Sequence, residues 1–318
     1  MGTAKERGET TVEENNRIAQ VMDEMGLNAW GICGFEPLRP FLLPCRAAAR
    51  LPSCPQAVIC VLFPYHVPLA SRNLSRYAVG PDYHSVVREL LAQAAQKLQN
   101  SCPTYQFVPF TDSSPIPEVR AAVVCGLGVQ GDNGLFIHPQ YGSWVFIGEL
   151  VTDAPLPVNE GKNAGCLHCG ACARRCPANA LQSGGRIGPD AGRCLSALTQ
   201  KKGELTQEQA ALLRKGGSVW GCDICQEVCP MNRGISDTAL PQFRRELHPV
   251  LLPGESRSLP NRAYHWRPAA VIERNLRILC TDDGNAKGEN QPAGAAETPA
   301  AEQIKEGDHA RNRAGSHE

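Results

Sequence analysis

Apolar residues recur at helical spacing in two segments of the first half of the chain. The capping-box sequence Thr11-Val-Glu-Glu14 and the glycine at Gly26 predict the two ends of a first helix. Asp82 and Cys102-Pro103 predict the two ends of a second helix. The apolar faces consist of Ile18, Val21, Met22 and Met25 in the first helix, and of Val86, Val87, Leu90, Leu91, Ala94 and Leu98 in the second. Each helix is therefore predicted to bury one face.

Three short apolar runs in the same half predict buried strands. They are Ala57–Phe63, Phe107–Phe110 and Trp144–Leu150. A short helix is predicted to follow Pro117 and to end at Gly126. Because helices alternate with buried strands, this half is predicted to be an α/β domain. The fold class of the whole chain is accordingly expected to be α+β or α/β.

The second half changes character along its length. Cysteine and glycine become frequent between about residues 160 and 235, where one helix is predicted from Thr206 to Gly216. A further short helix is predicted around Ala270–Leu279. The last residues, 281–318, contain almost no large apolar side chain. Such a segment cannot repay its ordering entropy, so it is predicted to be a disordered tail.

Composition and charge narrow the class of protein. The chain has 318 residues and 42% hydrophobic residues, enough for a sizeable core. Its 32 basic and 32 acidic residues give a formal net charge of zero, which argues against a surface that is basic throughout and tracks phosphates. No apolar run approaches the 18 residues or so of a transmembrane helix, and the polar start lacks the apolar stretch of a secretory signal. A cytoplasmic location is therefore expected.

Cysteine is the unusual component, with 15 residues in the chain. Seven are scattered and are expected to be buried small hydrophobes or incidental thiols. The other eight lie between Cys166 and Cys229. An odd number of cysteines and the lack of an export signal both argue against a framework of disulfide bonds. The clustered cysteines therefore require another account.

The clustered cysteines form two motifs typical of iron–sulfur clusters. The first is Cys166-x2-Cys169-x2-Cys172-x3-Cys176-Pro, the run of bacterial ferredoxins; the second is Cys222-x2-Cys225-x3-Cys229-Pro, with Cys194 upstream. In two-cluster ferredoxins the cysteine before proline ligates the other cluster. One 4Fe-4S cluster is therefore assigned to Cys166, Cys169, Cys172 and Cys229, and the other to Cys176, Cys194, Cys222 and Cys225. Structural zinc, which favours two separate CxxC pairs, fits this spacing poorly.

A glycine motif also invites a functional interpretation. Gly126-Leu-Gly128-Val-Gln-Gly131 satisfies GxGxxG, but a dinucleotide site needs the motif after a strand and at the start of a helix. Here it follows a predicted helix. A bend that lets the backbone approach another bulky ligand is the preferred interpretation.

Several segments resemble the epoxyqueuosine reductase family. They are Arg76-Tyr-Ala-Val-Gly-Pro-Asp-Tyr-His84, Asp112-Ser-Ser-Pro-Ile-Pro-Glu118, Gly126-Leu-Gly128, Tyr141-Gly-Ser-Trp-Val-Phe-Ile-Gly-Glu149, Arg193-Cys-Leu-Ser196 and Gly221-Cys-Asp-Ile-Cys-Gln-Glu-Val-Cys-Pro-Met-Asn232. The resemblance extends from about residue 15 to 280. It implies a cytoplasmic enzyme with cobalamin and two 4Fe-4S clusters, which reduces epoxyqueuosine to queuosine at the wobble position of certain tRNAs. Reductive dehalogenases share this pairing of cofactors.

The resemblance also implies domains and partners. The expected domains are a cofactor- and substrate-binding domain at 1–160, a ferredoxin-like double-cluster domain at 161–235, a short helical extension at 236–280 and the tail at 281–318. Reduced ferredoxin or flavodoxin is the implied electron donor, and tRNA the implied substrate. The chain resembles a short form without the C-terminal helical-repeat domain of longer members.

The resemblance assigns roles to individual residues. Asp112 matches the family's acid, which donates a proton to the departing epoxide oxygen and must be protonated by burial to do so. Tyr83 and His84 are expected to orient the substrate or relay protons. The alternative for Asp112 is a turn or helix cap, and for His84 an exposed capping histidine. The residues assigned to cofactor binding are Gly126, Gly128, Gly131, Tyr141 and Ser143.

Three departures from the family pattern keep other functions open, and one of them is the zero net charge, which gives no sign of a basic surface that follows a whole tRNA. Asp132 stands where the family usually has a lysine, and an anion in place of a cation is not conservative beside a phosphate or cofactor. The helical-repeat domain that helps to grip tRNA is not recognised. A related cobalamin and iron–sulfur reductase of a small molecule is therefore an alternative. A ferredoxin-like electron carrier without catalytic activity is another.

Overall fold

The computed structural model describes residues 4–158, 165–181 and 187–281. The segment 282–318, predicted to be a disordered tail, lies outside the described residues. Through Thr281 the chain forms one compact unit. Among the described residues, no helix is long and apolar enough to cross a membrane.

A four-stranded sheet organises the first half of the chain. Its strands are β1 (Trp30–Gly34), β2 (Ala57–Pro64), β3 (Phe107–Thr111) and β6 (Val145–Thr152), in the order β1-β2-β6-β3, and every neighbouring pair is antiparallel. A separate two-stranded hairpin consists of β4 (Val129–Gln130) and β5 (Phe136–Ile137).

The connection between β2 and β3 accounts for the alternation of helix and strand along the sequence. Strands β2 and β3 run in the same direction and are joined by helix α2 (Tyr83–Ser101), as in a βαβ unit. However, β6 lies between them and pairs with both in the antiparallel sense. The alternation of helix and strand is therefore real, and the mixed α and β fold class is confirmed. The sheet itself is antiparallel, because a later strand fills the gap.

Helices cover both faces of this sheet. Helix α1 (Ala4–Glu24) and α2 lie on one face, and α3 (Glu118–Val124) lies on the other. Strand β2 is buried at every position because it alternates between two cores. Ile59, Val61 and Phe63 pack with α1 and α2, whereas Val58 and Cys60 pack with α3.

The predicted start of the first helix is wrong, whereas its predicted end is confirmed. Helix α1 begins at Ala4, so Thr11 lies within the helix and does not cap it. The end is confirmed, since Gly26 follows with a φ of +68°.

The second half is built from short helices and loops. They are α4 (Ala171–Arg175), α5 (Leu195–Thr199), α6 (Gln207–Gly216), α7 (Ile224–Glu227) and α8 (Ala269–Cys280). Helix α6 starts with the predicted capping box between Thr206 and Gln209. A second core around Trp220, Tyr264 and Ile272 joins α8 to the residues that precede α2. Short 3₁₀ turns occur at Arg39–Phe41, Arg46–Arg50, Arg76–Ala78, Pro230–Asn232 and Pro241–Phe243.

Candidate functional site

A cavity of about 720 Å³ opens where the sheet domain meets the cysteine-rich segment. The start of α2 and the end of β3 supply one wall, α5 supplies another, and residues before α8 supply a third. The lining residues are Tyr77, Asp82, Tyr83, His84, Arg88, Asp112, Ser113, Phe146, Ser196, Gln200, Ala263 and Trp266. The predicted catalytic residues Asp112, His84 and Tyr83 are thus brought together in one cavity.

His84 lies between two carboxylates at the edge of this cavity. Asp82 caps α2 by accepting a hydrogen bond from the His84 backbone N–H at 3.1 Å, and its same oxygen lies 2.6 Å from His84 Nδ1. On the other side, His84 Nε2 lies 3.6 Å from Asp112 Oδ2. Asp82 lies in the segment Arg76–His84 that resembles the family, but it was not singled out as a site residue from the sequence.

The charges of these three groups determine where the proton resides. The contacts with Asp112 and Asp82 raise the pKa of His84 to about 9, against the opposing effect of burial. The hydrogen-bonding contact with His84 lowers the pKa of Asp112 below its ordinary value, despite partial burial. At neutral pH the imidazole therefore carries the proton and Asp112 is ionised. The expectation that Asp112 itself is held protonated does not agree with this geometry, because a cation lies beside it.

Asp112 also has an unusual backbone conformation. Its φ is +57°, in the left-handed region that is costly for residues other than glycine. It directly follows β3, and it begins the turn that leads through Ser114 to α3. Strain of this kind is typical of residues held in place for a functional reason.

Tyr83 forms part of an aromatic wall. Its ring stacks on Phe146 at a centroid distance of 4.2 Å and on His84 at 3.9 Å. Its hydroxyl lies 3.5 Å from Asp112 Oδ1, which is the limit of a hydrogen bond. Burial, followed by the charge of Asp112, raises the pKa of Tyr83 far above its ordinary value. The phenol is therefore neutral and can donate a hydrogen bond.

Two groups of cysteines lie in the second half. Cys166, Cys169, Cys172 and Cys229 all line one cavity, together with residues of the β4–β5 hairpin. This is the set assigned to the first cluster from the ferredoxin pattern.

The second group is more buried. Burial raises the pKa of Cys222 to about 11 and that of Cys225 to about 12, and the nearby charges of Cys194 and Cys176 add to the effect at Cys222. Thiols with such raised pKa values become thiolates at neutral pH only when a metal binds them. Cys176, Cys194, Cys222 and Cys225 therefore suit a second set of four thiolate ligands.

The residues assigned to cofactor binding in the glycine motif do not line the large cavity. A Cβ on Gly128 would lie 2.2 Å from the Ile137 carbonyl oxygen, and one on Gly131 would lie 2.6 Å from Asn133 Oδ1. These close approaches occur within the β4–β5 hairpin. Gly126, with a φ of +72°, ends the turn after α3. Gly131 also lines the cavity of the first cysteine group.

Tyr141 and Ser143 are likewise placed away from the large cavity. Tyr141 stacks on His138 at 5.1 Å. The buried Ser143 hydroxyl donates to Gln226 Oε1 at 2.9 Å and accepts from Asn232 Nδ2 at 2.8 Å. Both Gln226 and Asn232 lie close to cluster cysteines in sequence. Ser143 therefore connects the sheet domain to the second cysteine motif, and its role in cofactor binding stays a prediction.

Asp132, the departure from the family pattern, lies beside the first cysteine group. Its carboxylate is 2.8 Å from Nδ1 of His168, which lies within the first cysteine motif. Asp132, Cys166 and His168 offer ligand atoms within 4.8 Å of one another. Asp132 does not line the large cavity. Its effect is therefore expected on the cysteine loop and not on a ligand of that cavity.

Comparisons with known proteins agree with both halves of this arrangement. Residues 165–232 match a family model described as a 4Fe-4S double cluster binding domain, and residues 46–113 match one described as Epoxyqueuosine reductase QueG, DUF1730. The chain therefore carries a domain for two 4Fe-4S clusters, as predicted.

Curated relatives named epoxyqueuosine reductase match more than half of this chain. The Aliivibrio fischeri protein is 41% identical over 173 residues, which cover 54% of this chain and 46% of that protein. The Lactococcus garvieae protein is 34% identical over 214 residues, which cover 64% of this chain and 60% of that protein. The chain thus spans about half the length of the curated relatives it matches.

Solved structures share the fold. Epoxyqueuosine reductase from Streptococcus thermophilus aligns with a TM-score of 0.70 at 23% identity, covering 83% of this chain and 80% of that one. A crystal structure of epoxyqueuosine reductase with an epoxyqueuosine-modified tRNA-Tyr stem loop aligns with a TM-score of 0.71 at 23% identity, covering 85% and 81%. The solved structures show the common fold, and the family model together with the curated relatives shows that this chain belongs to the epoxyqueuosine reductase family.

Proposed function

We propose that this protein reduces epoxyqueuosine to queuosine in tRNA. The observation that carries the proposal is the cavity, because it joins a charged Asp112–His84 pair to the cysteine-rich segment. Reduction of an epoxide to an alkene consumes two electrons and two protons and releases the oxygen as water. The Asp112–His84 side of the cavity can supply protons, and the side formed by the cysteine-rich segment can supply electrons.

Cobalamin is the cofactor proposed for this cavity. A volume of about 720 Å³ lies within the range of about 300–1,000 Å³ that is usual for ligand and cofactor pockets. Tyr83, Phe146 and Trp266 offer apolar surface to a large flat ring, while Arg88 and Gln200 offer polar contacts to its periphery. The lining residues therefore fit a corrin. When bound, cobalamin would supply the strongly reducing metal that the epoxide requires.

The order of the two clusters follows from their positions relative to the cavity. Cys194 directly precedes α5, and the cavity is lined by Ser196 of this helix and by Gln200, the residue that follows it. The second cysteine group is therefore proposed as the cluster next to the cofactor. In the first group, Cys169 is exposed and its neighbour Leu167 is 61% exposed. This exposed group is proposed as the entry point for electrons from reduced ferredoxin or flavodoxin.

His84 and Asp112 are proposed to deliver the proton to the epoxide oxygen. Because His84 holds the proton at neutral pH, Asp112 serves as the carrier between the imidazole and the oxygen. Asp82 fixes the imidazole orientation from the opposite nitrogen. In this division of roles, the imidazolium of His84 holds the proton and the carboxylate of Asp112 passes it on.

The substitution at Asp132 gives little support to a different substrate. Asp132 pairs with His168 at the first cysteine group, away from the cavity proposed for the reaction. A non-catalytic electron carrier is also disfavoured, since such a protein has no use for a large cavity lined by His84, Asp112 and aromatic side chains.

The test is conversion of a modified anticodon stem loop. Full-length protein, purified anaerobically with its clusters and cobalamin, is incubated with reduced flavodoxin and an epoxyqueuosine-containing stem loop. Mass spectrometry of the nucleosides is expected to show queuosine, lighter by one oxygen atom. Unchanged epoxyqueuosine with fully loaded protein would reject the proposed function.

A further inference from the structure

Two carboxyl groups near Asp112 do not line the cavity, and one of them is completely buried while the other is half-buried. Glu149, in the middle of β6, is completely buried, and the Ser114 hydroxyl beside it only partly offsets the cost of burying its carboxyl group. Glu118, the first residue of α3, has a buried Oε1 that finds no partner among the described residues. Buried carboxylates without partners are costly, so such groups normally hold a proton.

The two groups lie close enough to affect each other. Burial raises the pKa of Glu149 well above its ordinary value, and the neighbouring charge of Glu118 raises it further. Burial also raises the pKa of Glu118 to about 8. The charge of Asp112 adds to that effect, while a hydrogen bond from the Asp112 backbone partly offsets it. Both acids are therefore largely neutral at pH 7.

Glu118 is connected to the strained turn of Asp112. Its carboxyl accepts from the backbone of Asp112, the residue with a φ of +57°. The turn is further held by Ser114, whose hydroxyl accepts from Ile116 N–H at 3.0 Å and whose buried side chain lies beside Glu149. A neutral Glu118 can anchor this turn without repelling the Asp112 carboxylate. An ionised Glu118 would place a second negative charge behind it.

We propose that Glu118 and Glu149 form a buried, protonated carboxyl pair that anchors the Asp112 turn and sets the alkaline limit of the proton-delivering His84–Asp112 pair. Glu118 is in this view a positioning residue, since it acts through Asp112 and does not line the cavity. The effect on catalysis rests on the proposed function, whereas the state of the pair itself does not.

The charged and titratable groups that face the pair come from every neighbouring element. Asp112 belongs to the turn, His84 and Tyr83 belong to α2, and Cys33 and Cys60 belong to β1 and β2. The thiols and the phenol are neutral across the relevant range, because a hydrogen bond with Cys125 and burial raise the pKa of Cys33, and burial raises the pKa values of Cys60 and Tyr83. Glu118 and His84 are therefore the groups that change charge between about pH 7 and 10.

Thermal unfolding against pH tests the pair without any substrate. The folded state holds the Glu118 proton up to about pH 8, whereas the unfolded state releases it near 4.5. The stabilisation that protonated Glu118 contributes to folding is therefore fully present below about pH 4.5, and it is lost as the pH rises through about 8. The apparent Tm of Glu118→Gln, relative to wild type, is expected to rise with pH over that window. Glu149→Gln, at the other member of the pair, should behave similarly.

The matched control is Glu89→Gln, an exposed glutamate on the outer face of α2. Its Tm profile should run parallel to that of wild type. Parallel profiles for Glu118→Gln and Glu149→Gln as well would overturn the proposal, because the carboxyls would then be ionised in the folded protein. Using both variants keeps the test decisive if one of them folds poorly.

The pH dependence of single-turnover reduction tests the role in catalysis. The alkaline limit of wild type is expected at about pH 8, where Glu118 ionises, and Glu118→Gln should move it to about 9, where His84 loses its proton. An unchanged limit would overturn the positioning role. A wild-type protein that melts as expected but converts no epoxyqueuosine would refute the proposed function and still support the carboxyl pair.

Discussion

His84 illustrates how individual residues acquire a chemical role through their neighbours. The sequence indicates a histidine near the start of a helix, a position that is usually exposed or part of a cap. The structure adds Asp82 at 2.6 Å and Asp112 at 3.6 Å on opposite ring nitrogens. Two carboxylates around one imidazole stabilise its protonated form, so this site is charged at neutral pH.

The titration of His84 is a direct consequence of that geometry. In protein labelled with ¹³C-histidine, NMR is expected to show His84 titrating at about pH 9. Asp112→Asn should lower this midpoint, since the contact with Asp112 is the largest cause of the raised pKa. A midpoint near 6.5 in the wild-type protein would contradict the arrangement.

Asp112 should matter for rate more than for folding. Replacement by asparagine keeps the shape of the side chain but removes the proposed carrier of the proton, so turnover is expected to fall by about 10²–10⁴-fold. Cluster and cobalamin content should stay at the wild-type level. Asp23→Asn, at the exposed end of α1, provides the control. Full activity in Asp112→Asn would remove this residue from the mechanism.

The residues of the site differ in how far sequence predicts them. Asp112, His84 and Tyr83 were identified by resemblance, and the structure brings them to one cavity. Asp82, which completes the network, was predicted as the start of a helix and lies in a segment that resembles the family, but it was given no role in the site. Glu118 and Glu149 carried no sequence signal as a pair, because their proximity depends on how α3 packs on β6. Electrostatic roles of this kind follow from contacts between distant segments.

At the scale of elements, strongly patterned segments were predicted best. Strand β2 reads as a continuous apolar run and is buried on both faces, and α2 begins at the capping Asp82 as expected. Strand β1 was missed, since Trp30-Gly-Ile-Cys-Gly34 contains two glycines and has little strand propensity. The position of β6 between β2 and β3 could not be predicted, because strand order is set by packing and not by local pattern.

Gly128 lies directly before β4, at a point where the backbone of β5 leaves no room for a side chain. A methyl group on Gly128 would collide with the carbonyl of Ile137, which is backbone and cannot move aside. Gly128→Ala is therefore expected to lower stability by about 1–3 kcal/mol or more. Gly165→Ala, where the added methyl meets open space, should cost much less. Thermal unfolding compares the two, and equal Tm values would refute the packing argument.

The cysteine loops make a prediction about which thiolates share a cluster. Cys229 lines the same cavity as Cys166, Cys169 and Cys172, although it belongs to the second motif. Cys229→Ser should therefore damage the cluster of the first motif and lower the iron content by up to about half. Cys280→Ser, an exposed thiol at the end of α8, should retain full iron. Loss of the Cys222–Cys225 cluster alone would show that the ligands are paired differently.

At the scale of the whole molecule, the family and the mixed fold were predicted from sequence and are confirmed. The division into domains at about residues 160, 235 and 280 stays a prediction. The sequence could not predict that residues from the two halves of the chain line one cavity. Ser196 and Gln200 from the cysteine-rich half line the same cavity as Asp112 and His84 from the sheet domain. Contacts over such separations arise only when the chain has folded.

The central claim is that this cavity holds a corrin that receives electrons from the clusters and acts on the epoxide beside Asp112. The most direct measurement is a single-turnover reaction of anaerobic, cobalamin-loaded protein with an epoxyqueuosine stem loop and reduced flavodoxin. Queuosine formed by wild type, and lost when cobalamin is omitted or Asp112 is replaced by asparagine, is the predicted result. Protein that binds both clusters but takes up no cobalamin, or that forms queuosine equally well without it, would contradict the account.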